Sequence, residues 1–327
     1  MENQEVAAKL LPKVLILEPP GVFTAFETEF SQKFECLRAW ESPIPTDEFL
    51  DAHARSVEAM LVSGFTPITS SVLHRVPSLR CIVTTSVGLD HMDLQECRRR
   101  EIAVANAGNV FSEDVADLAV ALLIDVLRRI TAADRFVRGE IWPIKGEYPL
   151  GSKLGGKRVG IVGLGSIGLD VAKRLEAFGC ILSYNSRKKK PSVPFPFYSN
   201  ACELAANCEV LVICCALTEE THHMINYEVL SALGKEGVVV NIARGGIIDE
   251  KELVRCLVQG DIAGAGLDVF ENEPEVPREL FGLANVVLSP HRAVFTEESF
   301  RDAFELILGN FEAFFSNKPL LSPVMDV

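Results

Sequence analysis

The chain has 327 residues, a length that favours two domains over one. Apolar residues make up 48% of the chain and charged residues 24%, as in a folded protein with a large core. With 32 basic and 45 acidic residues, the net charge of −13 argues against nucleic acid and anionic membranes as partners. No apolar run approaches the roughly 18 residues that a membrane-spanning helix needs.

Short apolar runs alternate with helical segments in the first part of the chain. The predicted strands are residues 14–17, 34–40, 59–62, 81–84 and 102–105, with helical segments at 23–30 and 47–57 between them. Such alternation is typical of a mostly parallel sheet with both faces covered.

A long helix is predicted to connect this part to the next. Ser112 is a suitable N-cap, with Glu113 and Asp114 in the first turn, and the apolar spacing continues toward residue 139. Two prolines and four glycines in 142–156 indicate an irregular loop after the helix.

A glycine-rich turn follows the apolar run 159–162 and precedes a helix-period pattern. Its residues are Gly163, Leu164, Gly165, Ser166, Ile167 and Gly168. In a dinucleotide-binding turn of this spacing, the first glycine makes the bend, the second lets the backbone approach a pyrophosphate, and the third packs helix on strand. We therefore predict that these six residues bind the cofactor, because a strand and a helix flank the glycines as the motif requires. A glycine-rich turn without a ligand is the alternative.

The end of the next strand, predicted at 181–184, indicates which nicotinamide cofactor is used. A carboxylate there would bind the ribose 2′-hydroxyl of NAD, whereas arginine accommodates a 2′-phosphate. The sequence instead continues with Ser186, Arg187, Lys188 and two further lysines, with no acidic residue nearby. We predict that Ser186, Arg187 and Lys188 bind NADPH/NADP, a solvated basic loop being the alternative.

Three polar residues follow later predicted strands. Arg244, Glu273 and His291 come after the runs 238–242, 263–267 and 286–288, where doubly wound sheets place their ligands. Each could be an ordinary surface or loop residue. Behind a dinucleotide turn, the set suits carbonyl reduction: the arginine can hold a carboxylate and polarise a carbonyl, the histidine can donate a proton, and the glutamate can favour the charged imidazole.

With these motifs together, the chain resembles the D-isomer-specific 2-hydroxyacid dehydrogenases, and within them the plant NADPH-dependent glyoxylate/hydroxypyruvate reductases and their hydroxyphenylpyruvate reductase relatives. The resemblance covers almost the whole chain. It implies that Arg244, Glu273 and His291 are catalytic, that backbone amides at Val87 and Gly88 hold the substrate carboxylate, and that the protein is a homodimer. Asp268 matches a family aspartate near the nicotinamide and is a secondary cofactor candidate.

The resemblance implies two doubly wound parallel-sheet domains. Residues 1–108 and 292–327 would form a flavodoxin-like substrate domain, and 109–291 a Rossmann nucleotide domain inserted into it. The implied activity is NADPH-dependent reduction of glyoxylate and hydroxypyruvate to D-2-hydroxyacids. Reduction of 4-hydroxyphenylpyruvate is the enzymatic alternative, and a nucleotide-sensing corepressor with this fold is the alternative from another class.

One departure from the family bears on substrate choice. Where members commonly continue after the histidine with small residues, this chain has Arg292, Ala293, Val294 and Phe295. Val294 adds bulk beside His291 and lacks a hydroxyl, which leaves the preferred 2-oxoacid open.

Three observations concern metals and location. Nine cysteines in apolar surroundings, without paired spacing, predict reduced thiols rather than a zinc site or disulfides. His222 and His223 could be a metal-ligand pair, but a solvated loop is the favoured interpretation, so no metal is predicted. Glu2 and Glu5 argue against a targeting peptide in residues 1–10, and a cytoplasmic protein is expected.

Overall fold

The computed structural model describes residues 11–324. It divides into two units, the first comprising the residues up to Phe111 and those from Thr296 onwards, the second comprising Ser112–Phe295. Along the chain the second unit is thus an insertion in the first; the sequence-based boundaries fall at residues 108 and 292. The interpretation of residues 1–10 lies outside the described part of the chain.

The first unit contains a five-stranded parallel sheet. Its strands are β1 (Lys13–Ile16), β2 (Glu35–Arg38), β3 (Ala59–Val62), β4 (Cys81–Thr84) and β5 (Ala103–Ala105), and its first five helices are α1 (Gly21–Ala25), α2 (Glu27–Ser31), α3 (Thr46–His53), α4 (Ser70–Arg75) and α5 (Leu94–Arg99). The strand order is β2-β1-β3-β4-β5, the flavodoxin-like order that was predicted. All eight residues of β3 and β4 are buried, as expected for strands covered on both faces.

The second unit begins with helices α6 (Ser112–Arg128), α7 (Ile130–Arg138) and α8 (Trp142–Lys145). The prediction of one helix from Ser112 toward residue 139 was wrong, because Arg129 has a φ of 56° and interrupts it. Two hydrogen bonds accompany the break: the Asp125 carboxylate accepts the Thr131 N–H at 2.8 Å, and the Ser152 backbone N–H donates to the Leu127 carbonyl at 2.8 Å. The loop predicted for 142–156 contains the short helix α8.

A seven-stranded parallel sheet forms the rest of the second unit. Its strands and helices are β6 (Arg158–Val162), α9 (Ser166–Ala177), β7 (Ile181–Asn185), β8 (Phe197–Tyr198), α10 (Ala201–Ala206), β9 (Val210–Ile213), α11 (Tyr227–Leu233), β10 (Val238–Asn241), α12 (Glu250–Gln259), β11 (Gly264–Leu267) and β12 (Val286–Leu288). The order β12-β11-β10-β9-β6-β7-β8 reverses direction at β6, and ligands bind at such a switch point. The two-residue strand β8 was not predicted.

The final helix returns the chain to the first unit. This helix is α13 (Glu297–Phe315), and the side chain of its N-cap Thr296 accepts the Ser299 N–H at 3.1 Å. It packs against α1 and β4, and the ring centroids of Phe311 and Phe30 are 5.9 Å apart.

Each of the two units has its own hydrophobic core, and the predicted fold class is confirmed. Within residues 11–324, no helix is long and apolar enough to cross a membrane.

Candidate active site

The glycine turn leads from β6 into α9 with the geometry that its sequence predicts. Gly163 has a φ of +94°, and a Cβ there would lie 2.5 Å from the Cys215 nitrogen. A Cβ on Gly168 would lie 2.2 Å from the Gly163 carbonyl oxygen, so helix and strand pack too closely for any side chain. A Cβ on Gly165 would meet nothing within 4 Å. The backbone at Gly165, where α9 begins, is thus accessible to an anionic group.

The other residues predicted at this turn differ in exposure. Ser166 is exposed and Ile167 is partly buried, whereas the Leu164 side chain is in the core. Leu164 can therefore contribute only main-chain atoms to a cofactor site.

The predicted phosphate-binding residues form the turn after β7. Arg187 and Lys188 are exposed, so their side chains are accessible to a ligand. The Ser186 hydroxyl donates to the Lys188 carbonyl at 2.7 Å, so a hydrogen bond from Ser186 to the cofactor would replace this one. The pKa of Glu220 is lowered, mainly by a hydrogen bond from Thr218, with the charge of Arg187 contributing.

Arg244 follows β10 in a turn that is fixed by a buried asparagine. The Asn241 side chain donates to the Arg244 carbonyl at 2.9 Å and accepts the Ala243 N–H at 3.1 Å. At Gly245, a Cβ would lie 1.9 Å from the Phe270 carbonyl carbon, so only glycine lets this turn approach the chain that follows β11. The turn that carries Arg244 is thereby packed on the segment that leads to Glu273.

Glu273 and His291 are brought together from the ends of β11 and β12. Oε2 of Glu273 is 2.7 Å from Nδ1 of His291, and Oε1 accepts the Phe270 N–H at 2.9 Å. Burial alone would raise the pKa of Glu273, but hydrogen bonds from His291 and Phe270 and the charges of His291 and Arg244 outweigh burial and lower it. The glutamate is therefore held as a carboxylate against the imidazole.

Asp268 has a structural role that the sequence did not indicate. Its carboxylate is fully buried and accepts hydrogen bonds from the Ser289 hydroxyl (2.5 Å), the Arg292 N–H (2.8 Å) and the Ala293 N–H (3.1 Å). Its carbonyl accepts the His291 N–H at 2.7 Å. Because His291 has a φ of 53°, a conformation uncommon outside glycine, these bonds hold the loop in the shape that presents the histidine. Contact between Asp268 and the cofactor stays a prediction.

The residues after His291 form a cation–π pair. The Arg292 guanidinium lies 3.8 Å from the centroid of the Phe295 ring, and Val294 between them is partly buried. The family departure therefore places a paired cation and aromatic ring, rather than small residues, directly after the histidine.

Val87 and Gly88 belong to the first unit, in the loop after β4. The Val87 carbonyl accepts the Asn106 side-chain N–H at 3.0 Å, and the Ser86 carbonyl accepts the Ala107 N–H at 3.0 Å. The loop is thus anchored to the residues that follow β5. The carboxylate-binding role of its amides stays a prediction.

Two further residues of this region were missed. Asn241 is 1% exposed. The sequence could have indicated it, because it is the polar residue that ends the apolar run Val238–Asn241. Glu250 accepts the Glu271 N–H at 3.1 Å, and burial is the main cause of its raised pKa. No local pattern indicates that contact, because the two residues are distant in sequence.

The carboxyl edge of one parallel sheet carries a dinucleotide turn, a hydrogen-bonded pair of histidine and glutamate, and an arginine. This combination defines a nicotinamide-dependent oxidoreductase. Residues 120–293 match the family model of the D-isomer specific 2-hydroxyacid dehydrogenase, NAD binding domain, and the chain belongs to this family.

Full-length relatives agree with this assignment. A glyoxylate/hydroxypyruvate reductase of Arabidopsis thaliana is 56% identical over 96% of this chain and 97% of its own length. A hydroxyphenylpyruvate reductase of Plectranthus scutellarioides is 47% identical, over 95% of this chain and 98% of its own.

A solved structure shows the same architecture. The NADPH-dependent glyoxylate/hydroxypyruvate reductase of Sinorhizobium meliloti, in complex with NADP and malonate, superposes with a TM-score of 0.89. It is 34% identical, over 96% of this chain and 97% of that one. The predicted family and enzyme class are thus confirmed.

Proposed function

We propose that the protein reduces small 2-oxoacids, glyoxylate and hydroxypyruvate among them, to D-2-hydroxyacids with NADPH. The observation that carries this proposal is the Glu273–His291 pair at 2.7 Å on the same sheet edge as the glycine turn. The names of the Arabidopsis and Sinorhizobium relatives give the substrate class.

The residues of the chain account for the proton and the substrate in this reaction. Reduction adds a hydride to the carbonyl carbon and a proton to the carbonyl oxygen, and NADPH, when bound, supplies the hydride. Because Nδ1 of His291 is hydrogen-bonded to Glu273, Nε2 is the ring atom that donates the proton to the substrate. The Arg244 guanidinium binds the substrate carboxylate and polarises the carbonyl.

The preference for NADPH rests on the turn after β7. The residues of this chain fit the cofactor: Gly165 leaves the start of α9 open for the pyrophosphate, and the exposed Arg187 and Lys188 suit a 2′-phosphate. No carboxylate occupies the position that would bind a 2′-hydroxyl in an NAD enzyme.

Reduction of 4-hydroxyphenylpyruvate is a second candidate activity. The 47% identity to the Plectranthus hydroxyphenylpyruvate reductase supports it, and so does the replacement of small residues after His291 by Val294 and Phe295. An aromatic substrate would need room beside these residues.

We also propose that the protein is a homodimer. Helix α7 has no buried residue, and the apolar side chains of Ile144 and Leu150 are 83% and 94% exposed. Apolar surface of this kind is usually covered by a partner, and a second copy of the chain is the commonest one. Sedimentation of the wild type and of Ile144→Glu tests this proposal: a dimer that the variant weakens supports it, and a wild-type monomer contradicts it.

A cytosolic location is proposed from the cysteines. All nine are free, and burial raises the pKa of Cys81 to about 12, as expected for a structural thiol that stays reduced. A fluorescent fusion protein seen outside the cytosol would contradict this location.

Steady-state kinetics test the proposed activity. The purified protein is assayed with NADPH and with NADH against glyoxylate, hydroxypyruvate and 4-hydroxyphenylpyruvate. We expect NADPH to support the higher kcat/KM and at least one of the two small 2-oxoacids to be reduced. Activity on 4-hydroxyphenylpyruvate alone would favour the second candidate, and no reduction of any of the three would contradict both.

A further inference from the structure

His222, His223 and Glu271 form a cluster on the second unit that the proposed reaction does not use. Nε2 of His223 is 2.9 Å from Oε1 of Glu271. One ligand-capable atom from each of the three residues lies within 4.8 Å of the other two. Two imidazoles and a carboxylate thus converge on one point of the surface.

The main chain fixes the positions of the two histidines. The His222 N–H donates to the Thr218 carbonyl at 2.9 Å, and the His223 N–H donates to the Gly246 carbonyl at 2.9 Å. His223 has a φ of 51°, in the left-handed region. With this backbone the two rings stack, their centroids 3.9 Å apart and their planes 22° from parallel. Both imidazoles therefore face the same side of the turn.

Glu271 reaches the cluster from a different loop. It follows β11, and its N–H donates to the Glu250 carboxylate at 3.1 Å. The side-chain exposures of His223 and Glu271 are 34% and 27%, so the pair is partly open to solvent. An ion bound there would keep access to water as a further ligand.

We propose that His222, His223 and Glu271 bind a divalent first-row transition metal ion of the zinc type, with water as the fourth ligand. Imidazole nitrogen and carboxylate oxygen are the donors that Zn²⁺ prefers, at bonds of about 2.0–2.2 Å. Ligand atoms on a tetrahedral ion are then roughly 3.3 Å apart. The His223 and Glu271 atoms are 2.9 Å apart and all three ligand atoms lie within 4.8 Å, so a rotation of the His222 ring out of its stack would complete the set.

The proposed ion would connect two loops of the second unit. One is the turn that carries the histidines, and the other is the segment from Glu271 to Glu273. An ion that binds only the folded chain stabilises it. Zn²⁺ should therefore raise Tm, and this effect should need all three ligands.

Calorimetric titration of the full chain with ZnCl₂, after treatment with a chelator and without nucleotide or substrate, tests the proposal. We expect one high-affinity ion per chain and Tm to rise when Zn²⁺ is added. His222→Gln, His223→Gln and Glu271→Gln should each weaken binding at least about 10-fold, since changing even a residue that only orients a metal ligand costs that much. Addition of Co²⁺ should give the visible absorption of a tetrahedral site in the wild type and not in these variants.

Two control variants make the result specific. His74 forms a similar pair with Glu96 on the first unit at 3.2 Å, so His74→Gln should leave Zn²⁺ affinity unchanged. Cys202 is an exposed thiol that could bind Zn²⁺ by itself, and Cys202→Ser should also have no effect. The proposal is overturned if the wild type binds no ion, if any one of the three variants keeps wild-type affinity, or if a control variant loses it. None of these results bears on the reductase activity.

Discussion

Oε2 of Glu273 lies 2.7 Å from Nδ1 of His291, and the other carboxylate oxygen accepts the Phe270 N–H at 2.9 Å. Both oxygens are therefore engaged, which fixes the carboxylate with respect to the ring. A carboxylate in this position orients an imidazole and favours its charged form. Reduction consumes a proton, and the charge on Glu273 should help His291 to supply it.

We predict that Glu273→Gln lowers the reductive kcat/KM at neutral pH, because the amide keeps the shape of the carboxylate but not the charge that faces the imidazole. The pKa of Glu273 is lowered, so the wild-type carboxylate stays charged until the pH falls below the ordinary glutamate value of about 4.3. Below that pH both side chains are neutral, and the difference between the two proteins should shrink. The measurement is a pH profile of both proteins with a chelator present, and equal kcat/KM values at neutral pH would contradict the prediction.

Arg187→Ala should weaken NADPH binding much more than NADH binding, because only NADPH has the 2′-phosphate. A lost charge-assisted hydrogen bond is worth about 1.5–3 kcal/mol, or roughly 10- to 150-fold in affinity. Cofactor Kd values from fluorescence titration measure the effect, with the exposed neighbour in Lys189→Ala as the control. Equal losses for both cofactors would show that Arg187 does not bind the phosphate.

Arg244→Ala should reduce kcat/KM for every 2-oxoacid while NADPH binding stays nearly intact, because the guanidinium acts on the substrate. Arg244→Lys should restore little activity, since an ammonium group cannot hold carboxylate and carbonyl in one planar fork. Steady-state kinetics and NADPH titration of both variants provide the comparison. A variant that had lost NADPH affinity instead would place Arg244 in the cofactor site.

Asp268→Asn should lower both stability and kcat. The amide removes the charge and one of the two acceptor oxygens that bind Ser289 and the N–H groups of Arg292 and Ala293. A buried donor left without its partner costs about 1–3 kcal/mol in the free energy of unfolding, which urea denaturation measures. Asp134→Asn, at an exposed pair with Arg138, is the control and should cost little. If the two variants lost equal stability, Asp268 would not hold the loop.

Features set by neighbouring residues could be predicted from the sequence. The glycine turn is one, because the steric demands on Gly163 and Gly168 arise within one strand–turn–helix unit. Final helix α13 is another, since its cap Thr296 and its apolar spacing are local signals. The positions of Arg244, Glu273 and His291 followed from the rule that parallel strands share a carboxyl edge.

Features that depend on contacts between distant segments could not be predicted. The break at Arg129 depends on Ser152, whose N–H reaches the end of α6. The contact between His223 and Glu271 joins residues 48 positions apart, so the histidine pair seemed from sequence to be an isolated solvated loop. Asp268 matched a family position, but the bonds by which it holds the histidine loop are visible only in three dimensions.

His291→Asn tests most directly whether His291 donates the proton in 2-oxoacid reduction. Asparagine tolerates the positive φ of 53° at this position but has no proton to give at neutral pH. The measurement is the single-turnover rate of NADPH oxidation with hydroxypyruvate, at saturating cofactor, together with the Kd for NADPH. We predict a rate lower by about 10²–10⁴ with an unchanged Kd. A rate within about 10-fold of wild type would contradict the account.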